Sequence, residues 1–224
     1  TPPPSPPPMK LSLVRGTVEA VDATSVKIKT DAGAEITAAI TPKTSFNIVE
    51  ARTFAQLKPT DFVGITAVPG RNGHLKAEEI HIIPVVGVGE GQYPWDHHPS
   101  TSHETTAGSM TNGSVVKTGP AQQDSMTNGS VTGTSGGNEL SVTYKGAGMV
   151  NGQCEGRADP TKPGCTGTAT VDVVPTTAIA AIVKGSNADA KPGLAVVAFI
   201  ATDPAGHSFL GSATFEKNGV KPEF

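Results

Sequence analysis

From Leu11 onward, apolar and polar residues alternate with the period of two that marks a strand with one buried face. In Ser25–Thr30, Val26 and Ile28 fall on one face and Lys27 and Lys29 on the other; residues 35–40 repeat the pattern with Ile36, Ala38 and Ile40. Between them, Asp31, Ala32 and Gly33 have the chemistry of a hairpin turn. In residues 51–57 the spacing changes: Phe54 and Leu57 are one helical turn apart, and Pro59 stops any extension. Residues 61–68 and 75–83 read as two more strands, joined by the Pro-Gly-Arg-Asn-Gly turn at 69–73. Three strands, a helical turn and two strands is the element order of an OB-like five-stranded barrel, predicted here over residues 10–84.

The second half of the chain echoes the first. Pro42 and Pro175 lie in matching Thr-Pro-Lys-Thr and Val-Pro-Thr-Thr steps, and Lys58-Pro59 matches Lys191-Pro192, both at an offset of 133 (175 − 42 and 191 − 58). An offset held over such a length predicts an internal duplication. The expected architecture is therefore all-β: two OB-like five-stranded barrels, the second over residues 125–224, joined by a Gly/Ser/Thr-rich connector over 85–124. Residues 1–9 form a proline-rich extended tail of polyproline-II character. Where the first copy has its short turn at 31–33, the second carries a long excursion over 146–167. The connector holds a repeat of its own, Ser-Met-Thr-Asn-Gly-Ser-Val at 109–115 and again at 125–131. The second copy leads into the expected second barrel; the first reads as an aborted strand start or a slippage duplication. Asn-Gly-Ser in each is formally a glycosylation sequon, but Asn-Gly is first of all turn chemistry.

Composition supports the β reading and limits the partners. Gly (26) and Pro (19) are abundant and charged residues make up 17%, which favours turns and strands over helices. A formal charge of −3 gives no electrostatic reason to expect nucleic acid. No apolar run approaches the ~18–20 residues of a membrane span. The chain opens Thr-Pro-Pro-Pro-Ser-Pro-Pro-Pro without an initiator Met, so removal of a secretory signal is the simplest expectation. Cys154 and Cys165 are the only cysteines. A disulfide between them would brace the excursion by roughly 2.8 kcal/mol in the chain-entropy model and would place the protein in an oxidising compartment, periplasmic or extracellular. Two free thiols, or half of a metal site, are the alternatives.

Candidate sites cluster in the connector. His97, His98 and His103, beside Asp96 and Glu104, have the ligand chemistry of Zn²⁺ or Cu²⁺, although adjacent residues of an extended segment point to opposite sides. Solvated linker residues are the plainer reading. Tyr93, Pro94 and the single Trp, Trp95, form either a partner-docking or sugar-stacking anchor or a plug for the seam between the barrels. Pro2, Pro3 and Pro4 in the tail are candidates for docking. Phe46, Phe54 and Phe62 read as core, because the charge balance is neutral to acidic and no basic patch interleaves them as base-stacking would require. His74, His81 and His207 have no carboxylate at a catalytic spacing and read as structural or exposed. No catalytic motif is present: no Gly-x-Ser-x-Gly, no His-Glu-x-x-His and no phosphate loop. No catalytic residue is assigned, and the expectation is a non-enzyme.

Residues 14–21 (Val-Arg-Gly-Thr-Val-Glu-Ala-Val), the Thr-Pro-Lys-Thr step, residues 57–67 and Gly89-Glu-Gly-Gln-Tyr-Pro-Trp-Asp96 resemble a family of secreted Gram-negative proteins built from OB-like domains of unknown function. Its members are often labelled metal-transporter permeases, a label at odds with a chain that has no membrane span. The resemblance covers residues 11 to 131 and implies fold and compartment, not activity. Together these readings predict a secreted or periplasmic, non-catalytic interaction protein, a subunit of an assembly with itself or another protein. A periplasmic metal-binding protein using His97, His98 and His103 is the alternative, and a glycan-binding module using Trp95 the third.

Overall fold

In the computed structural model, which describes residues 8–95, 107–120 and 137–222, the alternation becomes strands. On β2 (Ser25–Thr30), Val26 and Ile28 are fully buried, while Lys27 on the opposite face reaches Glu19 and Glu35 at 3.1 and 2.7 Å. The protein is all-β, and its only helical pieces among the described residues are two single 3-10 turns, Phe54–Gln56 and Asn187–Asp189. No helix among those residues is long and apolar enough to cross a membrane.

The strands belong to two compact units. One comprises the described parts of Thr1–Glu50 and Ile182–Glu223. In it, β1 (Lys10–Val21) pairs antiparallel with β2, β2 with β3 (Glu35–Ala39), β14 (Ala195–Thr202) with β15 (Ser208–Phe215), and β14 with β1. A parallel contact of Phe209 with Ala39 closes the five strands into a ring. β4 (Ser45–Ala51) lies parallel to β15. Val18, Val26, Ile28, Ile200, Leu210 and Phe215 fill this barrel, and Phe46 stacks on Phe215 with ring centroids 6.3 Å apart.

The other unit is the continuous segment Ala51–Ala181. β5 (Phe62–Pro69) pairs antiparallel with β6 (Leu75–Ile82) and with β8 (Gly108–Pro120); β8 continues onto β9 (Asn138–Gly146), and β9 onto β12 (Cys165–Val173). Two parallel rungs, Val171 with Leu75 and Asp172 with Lys76, close this ring. The start of β13 (Ala178–Lys184) runs parallel to β6. The core contains Ile65, Ile80, Leu140, Val142 and Val171. Outside the ring, β7 (Gly91–Trp95) pairs with β8, and the hairpin of β10 (Gly148–Val150) and β11 (Gln153–Arg157) joins β7 through β11.

Most of the expected elements are in place: the strands of the first half, the turn at 31–33, the 3-10 turn at Phe54 and the hairpin on the 146–167 excursion. Their partnership differs from two consecutive barrels over 10–84 and 125–224. β5 and β6 leave β1–β3 and complete the ring of β8, β9 and β12, while β14 and β15 return to complete the ring of β1–β3. The physical reason lies at β4 and β13. Each is an extended strand rather than a tight turn, so it carries the chain onward instead of folding it back (the geometry of a domain swap). The connector is also more ordered than expected. The first Ser-Met-Thr-Asn-Gly-Ser-Val copy lies within β8, between β5 and β7, and so belongs to a strand of the ring. The second copy lies outside the described residues.

Candidate metal centre

Glu139 and Asp172 come from the paired strands β9 and β12 of the Ala51–Ala181 unit, and His74 from the turn that leads into β6. β5 turns into β6 through residues 69–74, where Asn72 (φ 55°) and Gly73 (φ 78°) adopt the left-handed conformation and the Gly70 N–H donates to the His74 carbonyl at 2.9 Å. That turn delivers His74 to the first rung of β6. Across the ring closure, Asp172 on β12 is level with Lys76, and on its other side it lies directly opposite Glu139 of β9. Alternation along β12 buries Val171 and Val173 in the core and turns Asp172 outward, so the carboxylate joins the imidazole on the outer face.

The His74 Nδ1 lies 2.9 Å from Asp172 Oδ1, and one ligand atom from each of the three residues falls within 4.8 Å of the others. All three residues are half-buried. Two donors bound tetrahedrally at ~2.0–2.1 Å lie about 3.3 Å apart, so small side-chain shifts would bring the three atoms around one first-row ion. One imidazole and two carboxylates suit Zn²⁺ and its neighbours better than a hard ion that prefers oxygen alone. Three protein donors leave a further position open.

His74 also lines a cleft of about 810 Å³. His74 and Leu75 form one side, the β10–β11 hairpin another, and Gln92, Tyr93 and Pro94 of β7 a third. The disulfide expected between Cys154 and Cys165 is present, with Cα atoms 5.6 Å apart, and ties β11 to the start of β12. Tyr144 donates to the Cys154 carbonyl, and Gln92 Oε1 lies at the same 2.8 Å from its hydroxyl. Burial, aided by the charge of Glu155, raises the Tyr144 pKa above its ordinary value and keeps the phenol protonated. Gly167 lies against the Tyr144 ring, where any β-carbon would collide with it.

Tyr93 and Trp95 are half-buried on β7 and Pro94 is exposed. Arg157 lies over the Tyr93 ring, 4.9 Å from its centroid, and Trp95 meets that ring edge-on at 6.2 Å. Tyr93 lines the cleft, and Trp95, two residues along the same face of β7, packs edge-on against it. Pro2, Pro3, Pro4, His97, His98 and His103 lie outside the described residues. His74 and His207 are not the partnerless residues their local sequence suggests: His207 Nδ1 lies 2.9 Å from Asp203 Oδ2 in its own turn, and His74 meets Asp172 from across the ring. His81 is buried, 3.3 Å from Glu79, and the cost of charging it away from water outweighs the pull of that neighbour, pushing its pKa down to about 3. The triad had no local signature because its members are far apart in sequence. Only the closure of β12 on β6 reveals it.

Comparison with family models, with curated proteins and with solved structures returns no match to this chain.

Proposed function

We propose that this is a non-catalytic, secreted or periplasmic binding protein that takes a divalent first-row transition ion, with zinc the best fit, at His74, Glu139 and Asp172. The observation that carries the reading is the convergence of three donor atoms within 4.8 Å, two from neighbouring strands and one from the turn that enters β6, on the outer face of one ring. A barrel wall is a rigid mount, and rigidity lets three half-buried donors favour a metal geometry over separate solvation. The open position is filled by water or by a donor from another molecule. The disulfide fits an oxidising compartment.

The test is isothermal titration of the metal-stripped full chain with Zn²⁺, paired with native mass spectrometry. One ion per chain is expected, with affinity falling at least tenfold in His74→Ala and in Asp172→Asn. Equal affinity in wild type and both variants would remove the assignment, and loss of all binding only when His97, His98 and His103 are replaced would move the site to the connector.

Protein–protein contact is a second reading, favoured by a different feature. Leu13 and Phe199 are directly opposite one another on β1 and β14, Leu11 lies two residues along, and all three are exposed. The two rings also support the reading of an internal duplication. Thr44 Oγ1 donates to the Leu210 carbonyl at 2.7 Å, and Thr177 Oγ1 donates to the Ala77 carbonyl at 2.9 Å, so donors and acceptors are both related by 133 (177 − 44 and 210 − 77). The capping boxes at Thr53 and Ser186 keep the same offset (186 − 53).

A further inference from the structure

The cleft beside His74 has a chemistry that the metal reading does not use. Its opening is bounded by the disulfide hairpin, by β7 and by the 69–75 turn, it lies against the outward face of β12, and its volume of about 810 Å³ is in the range of small-ligand sites. Its polar surface is nearly all neutral. Thr166, Thr168 and Thr170 alternate along β12, Gln92 and Gln153 face them from β7 and β11, and Ser109 contributes from β8. Among the described residues, no Lys or Arg lines the cleft, and Glu155 would repel a phosphate or carboxylate.

One side chain of the lining is held firmly in place. Gln92 is fixed at both ends: its Nε2 donates to Thr111 Oγ1 at 3.1 Å, and its Oε1 lies 2.8 Å from the Tyr144 hydroxyl. Tyr93 and Met149 supply apolar surface between these polar groups. Apolar faces edged by hydroxyl and amide groups match a sugar, whose ring has a C–H face and a rim of hydroxyls.

We infer that this cleft binds a neutral carbohydrate of one to three residues, independently of any metal at the neighbouring triad. Trp95, the only Trp of the chain, meets the Tyr93 ring edge-on and so reports on the cleft that Tyr93 lines.

The full chain, kept in EDTA so that the metal reading is not tested at the same time, is titrated with maltotriose, cellotriose and N,N′-diacetylchitobiose. Trp95 fluorescence and calorimetry are the readouts. At least one sugar is expected to saturate at one per chain, with a shift in Trp95 emission. Gln153 and Thr168 have exposed side chains that carry no core packing. Gln153→Ala and Thr168→Val are therefore expected to fold normally and to weaken binding about tenfold each, one hydrogen bond's worth. Absence of saturation with all three sugars would overturn the inference, as would binding unchanged in both variants. So would binding of a neutral tetrapeptide such as Ser-Gly-Thr-Gly in preference to every sugar.

Discussion

His81 is a neutral imidazole in a place where a charged one cannot easily exist. Unfolded, it takes up a proton near pH 6.5; folded, it resists protonation until about pH 3. Between those values the unfolded chain binds the extra proton, so stability is at its full value above pH 6.5 and falls as the pH drops toward 3. Urea unfolding at pH 7.5 and 4.5 is expected to show a loss of a few kcal/mol at the lower pH. The variant His81→Gln should be less stable at pH 7.5 but lose much less between the two. An equal pH dependence in both proteins would show that another group carries it. His74 and Glu139 illustrate the limits of residue-level reading in the other direction. Neither has a telling neighbour in sequence, and what makes them a candidate site is the register of β9, β12 and β6.

For single elements the alternation of the sequence was a good guide, and β2 and β3 follow it closely, whereas β5 is buried along nearly its whole length. It carries less information where both faces of a strand are covered. β8 has Met110, Thr111 and Asn112 all buried, because it is flanked by β5 and β7 and overlaid as well, so its Thr-Asn-Gly core reads as a turn although it is a strand. The opposite case is β1 and β14, where Leu11, Leu13 and Phe199 put apolar side chains on the outer face. If that face is a contact surface between copies of the chain, the triple change to Ser (Leu11, Leu13, Phe199) shifts the protein toward monomer in sedimentation velocity and leaves its circular dichroism unchanged. A wild-type protein that is already monomeric at 100 µM would remove the reading.

The pairing of strands into rings is what the sequence could not disclose. Two halves with similar alternation offer similar rungs to β5–β6 and to β14–β15, so local pattern cannot distinguish a ring closed within one half from a ring closed by exchange. The choice is made by β4 and β13, whose extended course carries the chain from one unit to the other. A clear expectation follows for fragments. Residues 51–181 contain all five strands of one ring and the disulfide, and are expected to unfold cooperatively on their own with dispersed amide resonances. Residues 10–84 lack β14 and β15 and are expected to be unfolded or to associate. A well-folded monomer from 10–84 would refute the exchanged pairing.

That connectivity also decides how the protein would respond to being pulled. The strands nearest the two ends of the described chain, β1 and β15, belong to the same ring, and the whole Ala51–Ala181 unit is spliced into it. Because β1 and β15 both run antiparallel to β14, they point the same way, so tension on opposite ends of the molecule shears the rungs of β14 together instead of peeling them singly. Force must break that ring before any tension passes through the inserted unit. Whatever tethers or drags the chain, the candidate metal centre and its cleft sit in the mechanically sheltered part of the molecule.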